Sequence, residues 1–313
     1  MTATKEKLIL KSNLCPGDIL TLTAAVESLH ATYRGEYLTD VRTPVSAIWE
    51  HNPWITPLEE AESRVLQMHY PTINECNQIP HCFLAGYTEY LGKLLNRPLR
   101  LRTNRPHLYI TETEKGWLNQ FRELDPAHRD RPFWLVNAGI KSDYTAKAWP
   151  IEYFQEVVNA TRGRIQWVQV GAREHEHPRL DGVVDLRGKT DHRQLIRLAW
   201  HARAGLGPVT YLMHLMAAWE KPYLCLLGGR EPVTWVQYPR QVTFHTIGQL
   251  PCCRDRACWK ARVAVAGDGD QKDSKKSLCE RPIWGLERPV AECMARIRPE
   301  EVIQVLERIP DGV

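Results

Sequence analysis

LILKSNLCPGDILTLTAAVESLH (8–30) is the stretch on which the fold of this chain turns. An apolar run, LIL, meets a short loop holding Pro16 and Gly17. From Ile19 onward, Leu22, Ala25, Val26 and Leu29 recur at helical spacing. Strand, loop and helix in that order make half of a βαβ unit. One carboxylate, Asp18, stands at the mouth of the helix. It reads in two ways: as a helix cap accepting backbone N–H groups, worth ~1 kcal/mol, or as the base of an enzyme. Gly17 beside it lets the backbone come close to a ligand. Ser12 and Asn13 can hydrogen-bond an acceptor or a phosphate, and ordinary loop polarity explains them equally well.

Outward from this unit, EYLTDV (36–41) reads as a second strand, a helix is expected around 82–95, and HLYITETEKGWLNQF reads as strand then helix. Thr111 and Glu114 have capping-box spacing there. DPAHRDRP (125–132) is polar, with a proline near each end, and marks a boundary. Beyond it the rhythm is clearer. PFWLVNAGI, RIQWVQVGA, VVDLRGKT, PYLCLLGG and VTFHTIG read as strands. WPIEYFQEVVNAT, HRQLIRLAWHA behind Asp191, YLMHLMAAWE and RPEEVIQVLERI read as helices. Such alternation means a parallel sheet covered on both faces. The fold class is therefore α/β, and ligands of such sheets bind outside the carboxyl ends of the strands. The expected units are 1–128, 129–298 and a terminal helix segment, 299–313.

Composition narrows the function classes. The 313 residues carry a formal charge of only +4, with basic residues scattered rather than blocked, so nucleic acid is not an expected partner. No apolar run approaches the ~20 residues of a membrane span, and the start has no secretory pattern; a cytoplasmic protein, not an integral membrane one, is expected. Nine cysteines argue against a disulfide framework in that compartment. Five of them, Cys252, Cys253, Cys258, Cys279 and Cys293, crowd the last quarter of the chain. The segment between them, AVAGDGDQKDSKKS, is too polar to build a core, so a metal would give it fixed structure. A structural zinc or iron in a four-thiolate site is expected, held by Cys253, Cys258, Cys279 and Cys293 with Cys252 as substitute. DGD (268–270) has the form of a diphosphate-metal motif but lies in this loop, and reads as a charged turn.

Four stretches, in order, then carry a likeness: KSNLCPGDILTLTAAV, KAWPIEYFQEVV, GPVTYLMHLMAAWEKPYLCLLGGREP and the cysteine-rich tail. By these the chain resembles glycosyltransferase family 9, the ADP-heptose:lipopolysaccharide heptosyltransferase group. Its tail is similar to that of bacterial autotransporter heptosyltransferases, which carry an iron finger. The resemblance implies a GT-B fold, two doubly wound Rossmann-like domains facing across a cleft, with the last helix crossing back to the first domain. It implies inverting transfer of a heptose-like sugar from a nucleoside-diphosphate sugar to a carbohydrate or protein acceptor, with Asp18 as general base. It places Lys147 on the donor pyrophosphate, so that no divalent metal is needed for catalysis. Asn13, Gly17, Gly171, Glu174, Thr210, Tyr211, His214, Gly228 and Gly229 are then expected around the donor. The sequence departs from the family at Val209-Thr210-Tyr211, where an Asp-Thr-Gly with a sugar-binding carboxylate is usual.

Two rival classes remain. A cysteine-metal finger with Arg254, Arg256, Lys260 and Arg262 can be a binding module for nucleic acid or protein, without catalysis. A dinucleotide oxidoreductase is disfavoured, because neither GLGPVT nor CPGDIL completes Gly-x-Gly-x-x-Gly.

Overall fold

The computed structural model describes residues 4–70, 77–124, 126–128, 131–175, 177–284 and 286–309. Asp125, Arg129 and Asp130 of the expected boundary, and Glu176 of the 175–177 cluster, lie outside the described residues.

The chain begins with β1 (Glu6–Lys11), α1 (Pro16–Thr32), β2 (Tyr37–Arg42) and β3 (Arg64–Gln67), then α2 (Phe83–Leu95), α3 (Glu112–Gly116) and α4 (Gln120–Leu124). The three strands form one parallel sheet in the order β2-β1-β3. Helix α1 is apolar almost all round because it is enclosed on nearly every side, by its own sheet, by α2 and by a helix of the second sheet. Its polar side chains turn back on the helix. Thr21, Thr23 and Ser28 donate to the carbonyls of Asp18, Leu20 and Ala24 at 2.7, 2.6 and 2.7 Å, which satisfies hydroxyls that burial would otherwise strand.

The second part runs through β4 (Phe133–Val136), α5 (Ile151–Ala160), β5 (Gln166–Gln169), β6 (Val184–Asp185), α6 (His192–His201), β7 (Ala204–Pro208), α7 (Tyr211–Ala218), β8 (Tyr223–Gly228), α8 (Val233–Val236) and β9 (Gln241–His245). These six strands are all parallel, in the order β6-β5-β4-β7-β8-β9. The strand order reverses between β4 and β7, and a crevice opens at such a switch point. A small antiparallel pair, β10 (Pro282–Ile283) and β11 (Val290–Ala291), precedes α9 (Glu292–Ala295) and α10 (Pro299–Arg308).

Two expectations change. Residues 107–111 are not a strand: the His107 amide donates to Thr23 Oγ1 and the Tyr109 carbonyl accepts from Arg193, so this backbone is paired with side chains instead of a ladder. The terminal helix does not cross back to the first sheet either. Helix α10 packs on α5, with Val302 and Leu306 in the same apolar cluster as Trp149, Phe154 and Val157. The Trp149 indole N–H closes this face by donating to the Ile297 carbonyl at 2.9 Å. On the other face a single apolar cluster runs from Leu8 and Leu22 to Leu135, Met213 and Leu215, so the two sheets share a core through α1 and α7. Among the described residues no helix is long and apolar enough to cross a membrane.

Candidate active site

The N-terminus of α1, the N-terminus of α7, the turn before α5 and the loop after β8 meet at the reversal of strand order. Asp18 is not the cap of α1. Cys15 holds that position, with Pro16 first in the helix, and Asp18 is three residues in. Its carboxylate accepts from the Cys15 amide, as the third residue of a capping box does, and also from the Tyr70 hydroxyl. Burial raises the Asp18 carboxyl to about 6, against the pull of Tyr70, of Lys147 and of the Cys15 amide. Asn13 and Cys15 are exposed at the rim.

Lys147 closes the short turn that precedes α5 and reaches inward. Its ammonium lies 2.6 Å from Glu231 Oε1 and donates to the Val209 carbonyl at 3.4 Å. Burial lowers its affinity for the proton, while Glu231 and Asp18 work the other way. Glu231 also pairs with Arg230, and both are buried. Four charges of alternating sign, Asp18, Lys147, Glu231 and Arg230, thus stand in one another's field. His214 is buried, its Nδ1 bonded to the Tyr238 hydroxyl at 2.7 Å. Burial and the nearby Lys147 push it down to about 3, so it is neutral at physiological pH. It adds no charge here.

The expected glycines are closely packed. A Cβ on Gly17 would stand 3.0 Å from His214 Cδ2, so the space in front of Gly17 is filled by that ring. On Gly171 it would fall 2.5 Å from the His177 ring, while Glu174 nearby is exposed. At Gly228, with φ +64°, and Gly229 a Cβ would meet Met294 Sδ at 2.5 Å and Cys253 Sγ at 2.8 Å. Each of these four glycines thus has a packing neighbour on its Cα that a side chain would displace. Thr210 sits at the cap of α7 without a side-chain capping bond, its hydroxyl 3.4 Å from both the Pro208 carbonyl and Asn137 Nδ2. Tyr211 is packed inward, its ring edge-on to His192 at 5.7 Å and its hydroxyl without a partner.

The five clustered cysteines come together behind the β8 loop. Cys252, Cys258, Cys279 and Cys293 line one cavity of about 10 Å³, room for roughly a single atom. Cys253 differs from expectation: its thiol is turned to the Thr246 carbonyl at 3.4 Å and to Gly229, and Cys252 takes its place at the cavity. Burial raises the thiols of Cys258, Cys279 and Cys293, the last to about 12. Among the described residues no three His, Cys, Asp or Glu side chains stand in an arrangement that would hold a metal. Soft thiols gathered on one atom-sized void do suit zinc or iron in kind. The segment around them grips both loops of the site. The Cys258 and Trp259 amides donate to the Gly229 and Arg230 carbonyls at 3.2 and 3.0 Å, and the Ala146 amide donates to the Ala261 carbonyl at 3.0 Å. The DGD run is a turn that wraps the buried Arg262, whose guanidinium meets Asp268 and Asp273 at 2.6 Å.

Sequence reading missed Tyr70, Tyr238 and the Arg230–Glu231 pair. The last lay inside a quoted motif, LLGGREP, where the glycines drew attention from the charges. Tyr70 carries no local signal, since only tertiary approach brings it to Asp18.

Known proteins share this fold. The profile of Glycosyltransferase family 9 (heptosyltransferase) matches residues 95–261. A family 9 glycosyl transferase from Veillonella parvula superposes with a TM-score of 0.65 at 14% identity, covering 98% of each chain. The E. coli ADP-heptose LPS heptosyltransferase II gives 0.61 at 14% identity, over 97% of this chain and 98% of that one. The iron-containing dodecameric glycosyltransferase TibC of enterotoxigenic E. coli gives 0.60 at 16% identity, over 97% and 76%. A search of the curated proteins returns no match. At such identities the likeness carries the fold, which is GT-B, while the profile covers more than half of the sequence. This chain belongs to glycosyltransferase family 9 and is a glycosyltransferase.

Proposed function

We propose that the enzyme transfers a heptose-like sugar, with inversion, from a nucleoside-diphosphate sugar to an acceptor hydroxyl. Asp18 takes the hydroxyl proton as the acceptor oxygen forms its bond to the anomeric carbon. The bond from that carbon to the diphosphate breaks on the opposite side, and the leaving diphosphate keeps the electron pair. Lys147, with the N-terminus of α7, offsets the charge that develops there. The observation that carries this reading is a carboxyl raised to about 6 beside a buried lysine at the strand reversal. A base with a pKa close to working pH is the efficient one, and a positioned base contributes roughly 10²–10⁴-fold. One relative has been described with bound ADP-D-beta-D-heptose, which makes ADP-heptose the first donor to try.

The unit 129–298 then carries the donor and 1–128 the acceptor, in a protein working in the cytoplasm. Cys252, Cys258, Cys279 and Cys293, with Cys253 in reserve, would hold a structural zinc or iron. Such an ion would fix the segment that grips the loops of Lys147 and Glu231, and would take no part in bond making.

The binding-module alternative is weakened on this chain's own residues. Arg262 is enclosed by aspartates and Lys260 pairs with Glu280 at 3.1 Å, so half of its basic set is already engaged. A thermal-shift screen against nucleoside diphosphates and their sugars tests the proposal. We expect at least one to raise the melting temperature by mass action; no shift with any of them would sink it.

A further inference from the structure

Glu231 is only 4% exposed, and its two oxygens are used unequally. Oε1 holds the Lys147 ammonium at 2.6 Å and the Arg230 guanidinium. Oε2 is equally enclosed and has no hydrogen-bond partner. A buried acceptor left bare costs on the order of 1–3 kcal/mol, and folded chains keep few such atoms without a reason. The two cations keep the group ionised although burial opposes it. They also fix the carboxylate through Oε1, so Oε2 is not free to turn towards a protein donor.

The position of this oxygen is informative. The Lys147 ammonium that holds Glu231 also touches the Val209 carbonyl. Lys147 is the group assigned above to the donor diphosphate, so Glu231, 2.6 Å from it, stands beside the same ligand. Glu231 therefore brings a carboxylate from the β8 loop to the ammonium that also touches residue 209. Tyr70 lies in the field of Asp18 and of Glu231 together, so the two carboxylates belong to one neighbourhood. An ionised oxygen accepts hydrogen bonds and repels phosphate. What suits it is a neutral hydroxyl.

We infer that Glu231 reads the glycosyl half of the donor, Oε2 accepting a hydrogen bond from a sugar hydroxyl while Oε1 stays on Lys147 and Arg230. This rests on the nucleotide-sugar reading above. Such a site selects by leaving a buried charge unpaired when the hydroxyl is missing, which discriminates more strongly than apolar contact does.

The test is calorimetric titration of wild type, Glu231→Ala and Glu231→Gln with ADP, ADP-heptose, ADP-glucose, UDP and UDP-glucose. The quantity read is the affinity for each sugar nucleotide relative to its own diphosphate. Wild type is expected to bind at least one sugar nucleotide more tightly than the bare diphosphate. Glu231→Ala frees two cations, so diphosphate binding should hold or tighten, while the sugar's advantage falls about tenfold or more. Glu231→Gln, the variant safer for folding, should lose a smaller part of it, because its amide oxygen stays on the cations. A merely structural role would weaken both ligands by the same factor. That result overturns the inference, as does an unchanged ratio in both variants or equal binding of each pair by wild type. A wild type that binds no diphosphate at all instead removes the nucleotide-sugar reading beneath it.

Discussion

Burial lifts the Asp18 carboxyl from its ordinary 3.8 to about 6, and this couples activity to stability. The folded chain holds that proton more tightly than the unfolded chain does. Well below 3.8 both states are protonated and nothing is lost. As pH rises through 6 the fold must ionise a desolvated acid, and stability falls. Asp18→Asn removes that penalty, so its melting temperature should exceed wild type at pH 8 by the equivalent of roughly 1–3 kcal/mol, with the gap narrowing below 6 and closing below 3.8. A variant less stable than wild type at pH 8 would contradict the environment described. The rate of transfer should rise with pH up to about 6 and then level. Gly228 makes a second prediction. At φ +64° and 2.5 Å from Met294 Sδ, an added Cβ is strained twice. Gly228→Ala should cost about 1–3 kcal/mol in chemical denaturation; a neutral variant would refute the packing role. At this scale the places of Asp18 at a helix start and Lys147 before a helix were legible from Pro-Gly and Trp-Pro beside them, while the roles proposed for both came from the resemblance. The packing of Gly228 and Gly229 was not legible, because the sulfur atoms beside them lie 24 or more positions away in sequence.

Among the elements, α3 and α6 are tied by one ion pair. Arg193 meets Glu114 at 2.7 Å through two nitrogens, and Glu114 is buried. Although burial opposes it, Arg193 and the Thr111 amide hold this carboxyl at about 2. Its stabilising effect is complete above 4.5 and is lost as pH falls towards 2. Arg193→Ala leaves the carboxylate buried without its partner and should destabilise the fold by about 3–5 kcal/mol, read by denaturant unfolding at pH 7; a loss within 0.5 kcal/mol, the scale of an ordinary surface change, would show the pair to be dispensable. The helices here were readable because their caps are local: Thr111 with Glu114 and Asp191 with Gln194 both form capping boxes. Strand β3 was not. Only Leu66 of its four residues is buried, so RVLQ carries no alternation to detect. HLYIT had the composition of a strand but gives its hydrogen bonds to side chains of α1 and α6. The terminal helix was placed on the wrong partner because its apolar face fits any covering surface, and tertiary packing on α5 decided the matter.

For the whole molecule, the two sheets share a core through α1 and α7, while the cysteine segment holds the loops of Lys147 and Glu231 from behind. Metal analysis should find about one zinc or iron per chain. Its removal should lower the melting temperature and weaken diphosphate binding together, because both loops lose their support. A metal-free preparation of full stability would leave the cysteine cluster unexplained. The measurement that bears most directly on the account follows release of ADP from ADP-heptose by wild type and Asp18→Asn, with donor affinity titrated for each. We expect affinity unchanged within about threefold and release slowed about 100-fold or more. Release by Asp18→Asn at the wild-type rate, with donor bound, would contradict it.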